Sequence, residues 1–264
     1  MRTAAPIGVI DSGVGGLSVL KCLHEVLPHE DFLYLGDTAR TPYGSRPEKE
    51  IRAFVGEMLA WLSRQGIKHV VLACNTITML GTDSLKGDYP FGFTGMSKGE
   101  KLLLKASRKK KIGVFATEFT ISTGAHKKAI LALDPAAEVY PKACPAFVPL
   151  VEAGKFASPE LKSAIREYAA PLKAAGIDAL ILSCTHYPFI KEEIASEFGP
   201  SVTVIDPAEA TALLAKDSLA GAGLLRTEGA GSVEICCTAD LERVKKLAAR
   251  MLPASCCTYR QVKL

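Results

Sequence analysis

The sequence predicts an α/β protein made of two similar parallel-sheet domains related by pseudo-twofold symmetry. Three observations predict it. GIKHVVLACNT at 66–76 returns as GIDALILSCTH at 176–186, an offset of 110 that sets Cys74 and Cys184 at equivalent places. APIGVIDSG at 5–13 is echoed by KKIGVFATE at 110–118, an offset of 105 that matches Ile7 with Ile112. Short apolar runs alternate with helix-periodic ones, as a parallel sheet covered by helices requires.

Taken in order, IGVID (7–11) reads as a strand, SGVGG as a turn, and Leu17, Leu20, Leu23, Val26 and Leu27 as the apolar face of a helix. DFLYLGD is the next strand, EKEIRAFVGEMLAWLSRQG a helix closed by Gly66, and HVVLACN a third strand. The stretch GTDSLKGDYPFGFTGMSKGE is glycine-rich and aperiodic, so a boundary is expected near residue 95. The pattern restarts at 110–118, with helices expected near 122–133 and 158–175, the strand ALILSC, a helix after HYP, and the strand VTVID. SVEICCTADLERVKKLAARML reads as a strand and an amphipathic helix with Leu241, Val244, Leu247, Ala248 and Met251 on one face. This tail is expected to rejoin the first half, so the domains are read as 1–94 with 206–264, and 95–205.

Bulk composition narrows the function. A chain of 264 residues with 48% hydrophobic and 23% charged residues is that of an ordinary folded protein. The net charge of +4 is small, and the one dense basic run, Arg108 to Lys111, has no interleaved aromatics. It reads as a solvated loop, with no nucleic-acid partner. The opening apolar stretch is too short for a signal peptide, and no run approaches the roughly 18 apolar residues of a membrane span. A cytoplasmic protein is expected. Eight cysteines spread along so long a chain read as reduced thiols. The pairs 236/237 and 256/257 lack metal-site spacing, and adjacent strand residues are expected to point to opposite faces, so no metal is expected.

In open parallel sheets ligands bind beyond the carboxyl ends of the strands. Asp11, Asp37, Cys74, Thr117 and Cys184 lie at such ends. If the halves face each other, the active site lies in the cleft between them, and the two cysteines flank a ligand from opposite sides. That suits inversion of a carbon centre, in which one group removes a proton from one face and another returns a proton to the other. A cysteine pKa near 8.5 is readily lowered, so a thiol and a thiolate can coexist near neutrality. Each cysteine is followed by polar residues, Asn75-Thr76 and Thr185-His186, which a packing role does not require. Asp11 also reads as a helix cap and His186 as a structural histidine. DSGVGGLS fits neither Gly-x-Gly-x-x-Gly nor a Walker A loop, but its amides could hold a carboxylate.

IGVIDSGVGGLSVL, YLGDTARTPYGSRP, ACNT, ATEFTISTGA, CPAFVPLVEAG, LSCTHYP and VIDPAEATA occur in this order over nearly the whole chain. Together they resemble glutamate racemase, within the cofactor-independent aspartate/glutamate racemases. The resemblance implies interconversion of L- and D-glutamate without pyridoxal phosphate or any other cofactor, supplying D-glutamate for bacterial peptidoglycan, by a homodimer. It implies that Cys74 and Cys184 are the two acid/base residues. By the same resemblance Asp11 assists Cys74, and His186, oriented by Glu152, assists Cys184. Ser12, Pro42, Tyr43, Gly44, Asn75, Thr76, Thr117, Thr120 and Thr185 match positions that line the substrate pocket.

The sequence departs from the family's usual residues at Ser183, where glycine is common, and at His126, where tyrosine is. It departs again at Ile77 and Thr78 and in the 80–100 loop. Three other readings stand beside the first: a racemase for aspartate or another acidic amino acid, a binding protein without turnover, and a thiol redox or metal protein.

Overall fold

The structure, a computed structural model, describes residues 3–85 and 88–264. The chain forms two compact units, Met1–Ser97 with Ala208–Leu264, and Lys98–Pro207.

The first unit opens with β1 (Ile7–Asp11), α1 (Leu17–Val26), β2 (Phe32–Gly36), α2 (Glu48–Ser63), β3 (His69–Leu72), the short α3 (Asn75–Thr78) and β4 (Gly92–Gly95). The second holds α4 (Glu100–Ala106), β5 (Lys111–Ala116), α5 (Glu118–Ser122), α6 (Ala125–Leu133), β6 (Glu138–Ala143) and α7 (Phe147–Glu152). It continues with α8 (Pro159–Ala175), β7 (Ala179–Ser183), α9 (Lys191–Phe198) and β8 (Thr203–Ile205). The chain then returns to the first unit with α10 (Ala208–Gly221), β9 (Val233–Cys237), α11 (Leu241–Ala248) and β10 (Cys257–Gln261).

Both sheets are parallel. The first runs β10-β9-β2-β1-β3-β4 and the second β6-β5-β7-β8. The order β2-β1-β3-β4 is therefore repeated as β6-β5-β7-β8, which gives the sequence echoes their structural meaning. β1 corresponds to β5 and β3 to β7, so Cys74 and Cys184 follow equivalent strands. The returning β9 extends the first sheet by pairing with β2, Phe32 opposite Val233.

The echoed phrases begin with Gly-Ile for a packing reason. Gly66 and Gly176 both sit at φ +71°, a left-handed conformation that ends the preceding helix. The isoleucines that follow lie against a strand glycine in each sheet. A Cβ on Gly8 would meet Ile67 at 3.0 Å, and one on Gly113 would meet Ile177 at 2.6 Å. The bare backbone at these two points lets each helix close down on its sheet. Burial does the rest: β1, β2, β3 and β7 are buried throughout, as strands covered on both faces must be.

Several elements differ from the sequence expectation. The helix expected at 122–133 is two short helices, because Gly124 at φ +63° breaks it. The aperiodic stretch near 80–100 contains a 3-10 turn (Thr82–Leu85) and edge strand β4; Lys86 and Gly87 within it lie outside the described residues. The helix after HYP starts as a 3-10 turn over Tyr187–Ile190 before α9. Cys256 ends a 3-10 turn and only Cys257 is in a strand, so their sulfurs lie 3.6 Å apart instead of on opposite faces. The basic run is solvated as expected: Arg108, Lys109 and Lys110 are exposed, and the backbone N–H groups of Arg108 and Lys109 both donate to Asp178 at 2.7 Å.

Candidate active site

In the first unit the polar residues gather where β1, β2 and β3 end. Asp11 is fully buried and accepts a hydrogen bond from the Gly13 N–H at 2.8 Å, closing a turn. It is not the cap of α1, whose N-cap is Gly16 without a side-chain bond. Gly16 is required here, since a Cβ would come within 2.7 Å of the Asp11 Cβ and 3.0 Å of the Ala73 carbonyl. Cys74 ends the next strand over, and its Sγ lies 3.7 Å from the Ser12 hydroxyl.

Asn75 and Thr76, the first residues of α3, are buried. The side-chain amide of Asn75 is the telling group, because both its Nδ2 and its Oδ1 are buried without a partner. Leaving a buried amide unmade costs about 1–3 kcal/mol, a penalty that a ligand would remove.

Tyr43 reaches this end of the sheet from the loop after β2. It is buried, and its hydroxyl donates to the Asp37 carboxylate. Asp37 is itself held by the Arg40 Nε at 2.6 Å and by the Thr238 hydroxyl at 2.9 Å. Burial, followed by the Asp37 charge, pushes the Tyr43 phenol far up, and Cys74 is among the groups it senses. Pro42 and Gly44 flank it half-buried, with a cis Thr41–Pro42 bond. Asp37 was legible as a strand-end residue, but its grip on Tyr43 was not, because it depends on how the loop returns.

In the second unit Cys184 follows β7. The His186 imidazole places Nδ1 3.9 Å from the Cys184 sulfur and Nε2 2.8 Å from the Glu152 carboxylate. All three are buried. Burial alone would push the His186 pKa down, but hydrogen bonds to Cys184 and Glu152 and the Glu152 charge outweigh it and hold the pKa well above the ordinary value. The raised pKa favours the protonated form of the His186 imidazole beside the buried sulfur. Thr185 is buried beside it. Thr117 caps α5 by accepting from the Thr120 N–H at 3.3 Å, and the two hydroxyls lie 3.1 Å apart.

Two positions noted for their unusual residues prove to be one contact. Ser183 Oγ lies 2.8 Å from His126 Nε2, both buried. Burial, and then Lys98, lowers the His126 pKa to about 4, so this imidazole is neutral.

Two equivalent strand ends each present a buried thiol beside its own polar partner. The profile of the Asp/Glu/hydantoin racemase family matches residues 7–215. The chain belongs to that family. Among its curated relatives is the glutamate racemase of Lysinibacillus sphaericus (strain C3-41), 43% identical over 84% of each chain. A crystal structure of a glutamate racemase isoform from Bacillus anthracis is similar with a TM-score of 0.91 at 33% identity, covering 99% of this chain and 98% of that one. A glutamate racemase of Francisella tularensis, solved with D-glutamate, gives a TM-score of 0.86 at 31% identity, covering 99% and 97%.

As in other members of the racemase family, the fold is α/β with parallel sheets. Within the first unit it gathers Asp11, Ser12, Tyr43, Cys74, Asn75 and Thr76 near one end of the sheet, and within the second Glu152, Cys184, Thr185 and His186. Among the described residues no group of histidines, cysteines and acids is arranged to hold a metal ion, and no helix is long and apolar enough to cross a membrane. Sequence reasoning missed Tyr187 and Cys144 as site neighbours; both are buried in this unit, and the Tyr187 hydroxyl donates to the Cys144 carbonyl at 3.2 Å. Tyr187 lies inside the LSCTHYP block and Cys144 opens the CPAFVPLVEAG block, but neither block says which of its residues fold toward the thiol.

Proposed function

We propose that the protein is a glutamate racemase that interconverts L- and D-glutamate without a cofactor, with Cys74 and Cys184 as the two acid/base groups. The observation that carries this reading is the equivalence of the two thiols, each at the end of the third strand in a repeated strand order. In one direction a thiolate takes the α-proton and becomes a thiol, leaving a carbanion stabilised by its carboxylate. The opposite thiol then delivers its proton to the other face and becomes the thiolate. Atoms and charge balance, and the two sulfurs have exchanged roles.

The proposal requires both strand ends to reach one carbon, and it keeps the domains as 1–94 with 206–264, and 95–205. The imidazolium of His186, held by Glu152, steadies negative charge on the Cys184 sulfur. Asp11 and Ser12 serve Cys74. Asn75 offers its unpartnered amide to a substrate carboxylate, and Ser12, Pro42, Tyr43, Gly44, Thr76, Thr117, Thr120 and Thr185 complete the pocket with mostly neutral donors. The product D-glutamate supplies peptidoglycan synthesis. We place the protein in the cytoplasm as a homodimer. Free thiols at all eight cysteines suit a reducing compartment, and Leu213 and Leu214, each 47% exposed on α10, give a second copy an apolar face to cover.

The test follows L-glutamate and, in parallel, L-aspartate with the purified protein in deuterated buffer, reading inversion by circular dichroism and α-deuteration by NMR. Inversion with deuteration on glutamate alone is the expected result. Activity on aspartate instead would move the substrate to the shorter acid. Neither inversion nor exchange would end the reading.

A further inference from the structure

Cys256 and Cys257 are adjacent in the chain, yet their sulfurs come together 3.6 Å apart. Two different elements set this separation. Cys256 ends the 3-10 turn Ala254–Cys256, where its backbone N–H and its thiol both turn back to the Pro253 carbonyl, at 3.2 and 3.0 Å. Cys257 is the first residue of β10 and is held in register opposite Val233 of β9. Both cysteines are partly exposed, between the exposed Ser255 and Thr258. The other adjacent pair is the contrast: Cys236 and Cys237 are buried within β9, where neighbouring side chains take opposite faces.

The separation decides what two such thiols can bind. A disulfide brings its sulfurs to about 2.05 Å and usually sets its Cα atoms about 4.4–6.8 Å apart, whereas a trans peptide holds adjacent Cα atoms about 3.8 Å apart. The bond between Cys256 and Cys257 is trans, so direct closure of the pair works against its backbone. An atom that bonds to both sulfurs leaves them non-bonded to each other, close to where they already stand. Zinc is a poor match, because it takes four ligands and, among the described residues, no third histidine, cysteine or acid joins the pair. Trivalent arsenic is soft, forms three bonds, and needs only two thiols beside the one substituent it keeps.

We propose that Cys256 and Cys257 form a dithiol site for trivalent arsenicals, outside the 7–215 segment matched by the racemase family. An arsenical with one organic group and two hydroxyls reacts with both thiols. Two As–O bonds break, two As–S bonds form, and each hydroxyl leaves as water with a thiol proton. Arsenic stays trivalent, so the exchange needs no oxidant or reductant. Burial, and then the hydrogen bond with Cys256, pushes the Cys257 thiol up and keeps it protonated at neutral pH, which suits an exchange that carries the proton away as water. The pair has no part in the proposed racemisation, so the two readings fail separately.

The experiment mixes the reduced protein with one equivalent of phenylarsine oxide at neutral pH, washes with excess 2-mercaptoethanol to strip singly bound arsenic, and maps what remains by peptide mass spectrometry. Trypsin separates the two adjacent pairs, leaving Cys256 and Cys257 on 251–260 and Cys236 and Cys237 on 227–243. Arsenic is expected on 251–260 with both thiols consumed, and is expected to come off with 2,3-dimercaptopropanol. Cys256→Ser and Cys257→Ser should each lower retention by about 10²-fold, because the second As–S bond forms within one molecule. Arsenic absent from 251–260, spread evenly over the cysteine peptides, or retained equally by a serine variant overturns the proposal. Recovery of 251–260 as an internal disulfide without arsenic does the same. If a serine variant fails to fold, the map of the unsubstituted protein decides alone.

Discussion

At the scale of single residues, the site works through groups whose partners are already assigned, except one. In the proposed mechanism Cys74 and Cys184 are each needed, because inversion takes a base on one face and an acid on the other. Cys74→Ala and Cys184→Ala are each expected to lower racemisation by about 10³-fold or more, the range of a lost general acid or base. Full activity in either would sink the two-thiol mechanism. In the same proposal Glu152 acts only through His186, so Glu152→Gln should cost less, about tenfold in kcat; a loss as deep as the cysteine losses would make Glu152 a direct participant. Asn75 is the exception, a buried amide without a partner in the structure. Asn75→Ala should raise KM for glutamate about tenfold with a smaller change in kcat, as expected for a bond to a substrate carboxylate. Steady-state kinetics read both numbers.

Between elements, two buried polar contacts decide how strands are held. Ser183 at the end of β7 meets His126 on α6 at 2.8 Å, one residue before Cys184. Removing either partner leaves the other buried and unmade, so Ser183→Ala should destabilise the protein by about 1–3 kcal/mol. Combining it with His126→Phe should cost less than the sum of the two, a coupling of about 1 kcal/mol in urea melts. Strict additivity would show that the contact contributes nothing. In the first unit Lys68 pairs with Glu30 at 2.5 Å, both side chains 1% exposed. Lys68 also donates to the carbonyls of Thr3 and Leu224, while Glu30 accepts from the Arg226 N–H. This cluster joins the start of β3 to the segment returning before β9. Lys68→Met leaves a buried carboxylate without its cation and should cost about 3–5 kcal/mol, measured by the same melts.

For the molecule as a whole, buried histidines set the response to acid. Burial lowers the pKa of both His69 and His126 to about 4, with Lys68 and Lys98 adding to the effect. Each stays neutral in the folded state while the unfolded chain binds a proton near pH 6.5. Their contribution is therefore fully present above about pH 6.5 and is lost as the pH falls toward 4, by about 3 kcal/mol for each. His186 has the opposite sign, since its raised pKa contributes stability at low pH that is lost only as the pH rises through that pKa. Thermal melts from pH 7 to 4 should show a falling Tm. A His69→Gln variant should flatten the fall, and an unchanged slope would remove His69 from the account.

The α/β class, the main buried strands and the two equivalent cysteines were legible in the chain, because burial on both faces demands continuous apolar runs and a repeated fold repeats its Gly-Ile closures. Edge strand β8 was, as VTVID, but edge strands β4, β6 and β10 were not. β4, with GFTG, and β6, with Pro141 and mostly half-exposed residues, lack the apolar run that marks a covered strand. The break at Gly124 was equally silent, because a glycine in a helical pattern does not announce its sign of φ. Of the site, residue types at strand ends could be named from spacing and resemblance. Which of them touch was decided only by tertiary structure: His126 with Ser183, Asp37 with Tyr43, and Tyr187 with Cys144 are separated by 57, 6 and 43 residues in the chain. Periodicity reports which face a residue takes within its own element. It carries no information on which distant hydroxyl or imidazole folding will bring against that face.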